Sequence, residues 1–320
     1  MKLKKRLIVS MSLLMALTVD GLAETRWPVT FLNPGINGMI EAGGFYYKVT
    51  DTQVETIENT DNTRERSYSE SKSKPLFFGE LSWTTQNSLS LYTSVESLGD
   101  VKNVKAGIVR TGFYNELQTF FQFIKERVLE DPYSNDQLYS LTWQDSWKAT
   151  AALDGIASTN TGIWYSCNVL TVRDDAPAER NPELARDGFI HKAGTGYSFK
   201  AGHWVLEPSL EVSCGITEGE AGKYFGYGAG IDLERQGIRS ILELTLAVEV
   251  DYYRSIHPVY KARQTDMLAE IKLSYTEMGL FNTENFYATC GTEFNILTTK
   301  NDYYERKTVN CFVLGGLRFD

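Results

Sequence analysis

The chain has 320 residues, 42% of them hydrophobic, with 32 Lys and Arg against 41 Asp and Glu for a formal net charge of −9. That acidic balance argues against nucleic acid as a partner. After the first two dozen residues no stretch approaches the roughly 18 uninterrupted apolar residues of a transmembrane helix, which leaves a soluble exported protein or one that crosses a membrane as strands.

Export is written at the start. Lys2, Lys4, Lys5 and Arg6 precede an apolar run from Leu7 to Val19, and Gly21-Leu22-Ala23 puts small residues at the two positions a signal peptidase inspects. Residues 1–23 are expected to be a secretory signal peptide cut before Glu24, because the apolar run is too short to span a bilayer comfortably. Residues 24–35, with Trp27 and Phe31, are a short lead, and 36–320 are expected to form one unit.

Pro34-Gly35 opens a first strand over 36–50. Residues 51–73 hold six acids and three bases among many Ser, Thr and Asn. With almost nothing to bury, they read as a long mobile loop. Strands at 75–85 and 88–96 are joined by Gln86-Asn87-Ser88, and in the second Leu89, Leu91, Thr93 and Val95 alternate with Ser90, Tyr92, Ser94 and Glu96. Strands at 101–113 and 116–128 follow, then a loop over 129–137. The sixth strand, 138–153, is interrupted in phase by Asp145 and Trp147, which points to a bulge or a shorter strand.

A seventh strand over 162–173 leads to a charged loop at 174–187, and an eighth over 188–200 turns through Ala201-Gly202 into a ninth at 203–216. There Pro208 removes one ladder donor, an objection to a central strand. The tenth, 223–234, sets Phe225, Tyr227, Ala229 and Ile231 against Gly226, Gly228, Gly230 and Asp232. The eleventh, 240–251, is the clearest: Leu242, Leu244, Leu246, Val248 and Val250 alternate with Glu243, Thr245, Ala247, Glu249 and Asp251. Successive strand side chains point to opposite faces, so one face is greasy and the other acidic. The twelfth sets Met267, Ala269, Ile271, Leu273 and Tyr275 against Leu268, Glu270, Lys272 and Ser274; the last two cover 286–296 and 307–319.

About fourteen strands, with long connections after odd strands and short ones after even strands, make an all-β, closed antiparallel transmembrane β-barrel the expected fold. Closure satisfies every backbone group in lipid. Tyr46, Tyr47, Trp83, Tyr139, Trp204, Tyr252, Tyr253, Tyr275, Phe286 and Phe319 fall near strand ends, where interface girdles belong. The competing reading, a water-soluble sandwich, would more often divide into two domains at this length. The alternation from Val309 to Phe319 resembles the terminal strand signal read by barrel assembly machinery, which normally ends on the aromatic; here Asp320 follows.

The stretches Lys74-Pro-Leu-Phe-Phe-Gly-Glu-Leu-Ser-Trp83, Trp204-Val-Leu-Glu-Pro-Ser-Leu210 and His257-Pro-Val-Tyr-Lys-Ala-Arg-Gln-Thr-Asp266 run in order across most of the chain. In them the protein resembles an uncharacterised family of exported proteins from marine γ-proteobacteria, a domain of unknown function expected to form outer-membrane barrels. The resemblance implies the fold and no activity.

A porin-like channel for small hydrophilic or cationic solutes is the default function of such a barrel, although this strand number need not leave it open. Alternation turns Glu80, Glu207, Glu211, Glu243, Glu249, Asp251, Glu270 and Glu293 inward against fewer bases, such as Lys272 and Arg318, and such a wall favours cations. The same acids read equally as hydrated or paired lumen residues without a ligand, and inward Tyr92, Phe120 and Leu268 would fill the interior instead. A surface receptor or adhesin would rest on 51–73. An outer-membrane hydrolase or protease has only His191, His203 and His257 as imidazole bases, and His257, with Asp251 and Asp266 nearby in sequence, matches no catalytic signature.

Cys290 and Cys311 are equidistant from a turn centred between Lys300 and Asn301, so a cross-strand disulfide is one expectation and two outward thiols the other; Cys167 and Cys214 are expected to be free. No phosphate loop, zinc spacing or calcium loop is visible, so no cofactor or metal is expected. The expected partners are outer-membrane lipid, the assembly machinery and small solutes.

Overall fold

The computed structural model describes residues 34–56, 63–86, 88–98, 101–112, 115–129, 141–156, 159–258, 261–283, 285–299 and 304–319. The strands are β1 (Gly35–Thr56), β2 (Thr63–Thr84), β3 (Leu89–Leu98), β4 (Val101–Thr111), β5 (Glu116–Leu129), β6 (Leu141–Asp154), β7 (Thr161–Val172), β8 (Gly188–Tyr197), β9 (Phe199–Ala201), β10 (Trp204–Thr217), β11 (Tyr224–Gln236), β12 (Ser240–Ile256), β13 (Arg263–Met278), β14 (Phe286–Thr299) and β15 (Tyr304–Phe319). Neighbours pair antiparallel around one sheet. β15 returns to β1 from Gly38↔Phe319 to Gln53↔Tyr304, so the sheet closes on itself.

β8 and β9 are one stave of this cylinder, which makes fourteen in all. Both pair with β10 in a single register, Ser209↔Gly196 on one side of the gap and Leu206↔Phe199 on the other. The gap falls opposite Pro208, which has no N–H to give. Its carbonyl lies toward β8, 3.5 Å from where a Cβ on Gly196 would sit, so the missing donor is on that side too. The proline therefore costs a local ladder bond and leaves the central strand in place.

What is buried and what is exposed are inverted relative to a soluble protein. Phe121 is 71% exposed and Leu210 and Val313 62%, whereas Glu41, Glu126, Glu293 and Arg306 are each 1% exposed. In water this arrangement would leave greasy side chains wet and charges dry. Around a lipid-embedded cylinder it is what alternation produces, and it excludes the sandwich. Both ends of the described chain lie at one rim, with the 202–203, 237–239 and 279–285 connections, and the 173–187, 218–223 and 257–262 connections lie at the other.

Three expectations change. Residues 51–73 are mostly ladder: β1 runs on to Thr56 and β2 begins at Thr63, in unbroken register from Gly35↔Thr84 to Thr56↔Thr63. The backbone ladder itself carries the pairing there, and Thr and Tyr suit a strand by propensity. β6 runs from Leu141 to Asp154 without a bulge, because Asp145 simply faces outward and meets Arg173 at 3.1 Å. On the last hairpin Cys290 faces Val313 and Cys311 faces Thr292, two residues out of the register a disulfide needs. All four cysteines are free, with Cys290 and Cys311 exposed on the outer face. The signal peptide, most of the lead, the 130–140 connection and Tyr139 lie outside the described residues.

The barrel lumen as candidate functional site

The inner face is built by every second residue of each strand, and its two halves differ. Along β1 to β6, β14 and β15 most inward side chains are buried against one another; along β7, β8 and β10 to β13 most are only half-buried, within reach of water.

The packed half has an apolar centre. Phe45, Tyr47 and Val49 of β1 cluster with Leu76, Leu98, Val101, Ile124, Phe312 and Leu314 at the level of the tight β3–β4 connection. Below it Tyr92, Val109 and Phe120 form a second cluster. Lys105 sits over the Phe120 ring at 3.8 Å and the Tyr92 ring at 5.7 Å, a cation held by aromatic faces. Tyr92 and Phe120 thus do fill lumen space, as their positions suggested, while Leu268 stays half-buried outside both clusters. The polar members are hydrogen-bonded in chains: Asn103 donates to Glu96 at 3.3 Å, Gln122 to Asn103 at 3.1 Å, Gln144 to Glu126 at 2.8 Å and Tyr287 to Glu41 at 2.6 Å.

The water-reached half is acidic and is shaped by the glycines of β11. A Cβ on Gly226 would lie 2.0 Å from Asp251 Oδ1 and 2.3 Å from Ser213 Oγ, and one on Gly228 would lie 2.8 Å from Glu211 Cγ. The glycines make a trough in the wall across which β8 and β10 reach β12. Ser213 Oγ donates to Asp251 at 3.3 Å, and Lys192 Nζ donates to both oxygens of Glu249 at 3.0 and 3.1 Å and to Glu211 at 3.5 Å. Ser274 donates to Glu243 at 2.5 Å and Thr245 to Asp232 at 2.6 Å.

The eight predicted acids divide between these regions. Glu207, Glu211, Glu243, Glu249, Asp251 and Glu270 share the water-reached half, all of them half-buried. Glu80 and Glu293 fall in the packed half at 9% and 1% exposure, where Asn295 donates to Glu293. Sequence reasoning missed Lys192, Glu234 and Asp266 as members of the acidic half. Asp266 lies two residues before Leu268, one step further along the same alternation. Lys192 carried no such signal, because β8 alternates weakly around its glycines. Of the predicted bases, Lys272 is buried at 6% exposure and Arg318 lies 5.2 Å from the Tyr287 ring centroid. Among the described residues no group of three or more His, Cys, Asp or Glu is placed to hold a metal ion.

The three histidines are scattered. His191 faces outward and meets the Tyr165 hydroxyl at 2.7 Å, His203 lies exposed in a turn, and His257 is buried in the β12–β13 connection. Burial pushes His257 down to about 4. A catalytic imidazole supported by a carboxylate would be pushed the other way. Because the folded value lies below the ordinary 6.5, His257 favours the native state fully above about pH 6.5, and this contribution is lost as pH falls toward 4. Protection factors of the hydrogen-bonded amides at 257 and 261, taken relative to the intrinsic exchange rate at each pH, should therefore fall between pH 6.5 and 4 in the wild type and stay constant in His257→Gln.

A cylinder with an apolar outside, a polar inside and a partly water-reached lumen defines a transmembrane β-barrel of the outer-membrane type. The chain belongs to the family described as protein of unknown function, DUF2860, whose profile matches residues 35–320. No curated protein matches the sequence. Among solved structures it is similar to a deltaS2 mutant of the TodX monoaromatic hydrocarbon channel, with 9% identity, a TM-score of 0.50, and 91% of this chain and 92% of that chain covered. It is also similar to the Pseudomonas putida toluene transporter TodX, with 9% identity, a TM-score of 0.47 and coverage of 90% and 91%. The anion-selective porin from Comamonas acidovorans aligns with 9% identity, a TM-score of 0.40 and coverage of 89% and 98%. At such identities the likeness is one of fold.

Proposed function

We propose that the protein is an outer-membrane channel for small hydrophilic solutes that prefers cations, exported with a cleaved signal peptide and inserted by the barrel assembly machinery. The observation that carries this reading is the one-sided lumen. Its water-reached half presents Glu207, Glu211, Glu243, Glu249, Asp251 and Glu270, and Lys192 is already engaged by two of them. A passing cation replaces part of its hydration with such carboxylates, and an anion meets repulsion. The test is planar-bilayer recording of heat-modifiable protein in a KCl gradient. Reversal potentials should favour potassium, and the Glu207→Gln/Glu243→Gln/Glu270→Gln variant should move them toward zero. No conductance, or a reversal potential favouring chloride, would remove the proposal.

A second reading, passage of an apolar solute, is favoured by the cluster around Phe45, Tyr47 and Phe312 inside the lumen. It expects liposome uptake of a small aromatic hydrocarbon that falls when Phe45→Gln is introduced, with no ionic selectivity. A receptor role for the β1–β2 hairpin expects loss of ligand or phage binding when its tip is deleted. The hydrolase reading has little support in the placement of the histidines.

A further inference from the structure

On four neighbouring strands the outward side chains change character at one height. Val104 on β4, Phe123 on β5, Trp147 on β6 and Val169 on β7 are ladder partners in turn and form the last apolar row below the long-loop rim. The next outward row is Lys102, Lys125, Asp145 and Thr171, again partners in turn. This switch from greasy to charged within two residues on each strand marks where hydrocarbon ends and headgroups begin.

In the charged row Asp145 is taken by Arg173 at 3.1 Å. Lys102 and Lys125 then stand directly opposite each other, and among the described residues neither has a carboxylate partner. Like charges in facing positions repel across the roughly 5 Å between their Cβ atoms. Lys102 is exposed, and the Lys125 ammonium lies 5.0 Å from the ring centroid of Trp143, an amphipathic residue suited to this depth. Asp145 faces Lys125 from the other side and is itself bonded to Arg173, so Lys102, Lys125 and Arg173 set three cations against one carboxylate at the edge of the lipid, a net positive row on the outside of an acidic protein.

We propose that Lys102 and Lys125, beside Trp143, bind the phosphate of a phosphorylated glycolipid in the outer leaflet. A phosphate carries one to two negative charges and several acceptor oxygens, enough to bridge both ammonium groups and cancel their repulsion. The outward direction of the row excludes a solute in the lumen as the ligand. The inference rests on the outer-membrane reading and is independent of whether the lumen conducts.

Native mass spectrometry of folded protein in mixed micelles with diphosphorylated lipid A, or with its dephosphorylated counterpart, tests it. Wild type should bind the phosphorylated lipid about thirty-fold more tightly than Lys102→Gln/Lys125→Gln, the factor expected for two basic side chains at an anionic lipid surface. Lys102→Arg/Lys125→Arg should keep binding, Arg110→Gln at the opposite rim should not matter, and millimolar inorganic phosphate should not displace the lipid. Equal affinity of wild type for the phosphorylated and dephosphorylated lipids overturns the proposal without recourse to any variant. Equal binding by wild type and the glutamine variant, or displacement by inorganic phosphate, overturns it as well. Wild-type protein without heat-modifiable migration would show instead that the outer-membrane reading had failed.

Discussion

Gly43→Ala should prevent the barrel from closing. Gly43 lies on the seam between the first and last strands, opposite Leu314 of β15 and Leu76 of β2. A Cβ there would sit 1.9 Å from the Val313 carbonyl oxygen and 2.9 Å from the Leu314 Cα, both backbone atoms. Overpacking costs about 1–3 kcal/mol where neighbouring side chains can move aside. No side chain can move aside at this contact, so the strands must part. Parting them exposes two rows of unpaired N–H and C=O groups to hydrocarbon at several kcal/mol each, which turns a one-carbon change into loss of the fold. Unheated and boiled samples of Gly43→Ala should run alike on a denaturing gel. Gly44→Ala, where a Cβ would meet nothing within 4 Å, should keep the wild-type shift. A normal shift for Gly43→Ala would mean that the seam is wider than described.

Lys192→Gln should both sharpen cation selectivity and weaken the barrel. Its ammonium neutralises Glu249 and Glu211 across the β11 trough. Without it two partly buried carboxylates face each other uncompensated, and breaking such a pair from one side costs on the order of 3 kcal/mol. The same step makes the lumen one unit more negative, so reversal potentials in a KCl gradient should move further toward potassium. A companion Lys192→Gln/Glu249→Gln variant should recover much of the lost thermal stability while returning selectivity toward wild type. Unchanged melting of Lys192→Gln would mean that the bridge adds nothing to the fold.

Much of this architecture was legible in the order of residues. β12 reads directly, since Leu242 to Val250 on one side and Glu243 to Asp251 on the other leave no second interpretation. The glycines of β11 announced a strand without saying why its inner side chains were missing; the reason is the reach of Lys192 and Ser213 across them to β12. Alternation names the face a carboxylate occupies but not the distance to the opposite wall. That is why Glu80 and Glu293 were grouped with Glu249 although they are packed away from water. Register is the other quantity a sequence withholds: the β14–β15 ladder is centred between positions 301 and 302, one residue past the midpoint of the two cysteines, and so pairs Cys290 with Val313. The polar ladder after Val49 was hidden for a different reason, because a strand rich in charged residues, Ser and Thr, without apolar alternation, looks like a loop in composition.

That ladder is longer than a membrane crossing needs. A 22-residue strand extends about 70 Å at 3.3 Å per residue, whereas a lipid-facing band is only about 25 Å tall. Even steeply inclined, β1 and β2 stand above the bilayer like a mast, braced by β15 as far as Gln53. With the long-loop rim outward, as the outer-membrane reading proposed above has it, this spar is the part of the protein that reaches furthest from the bilayer.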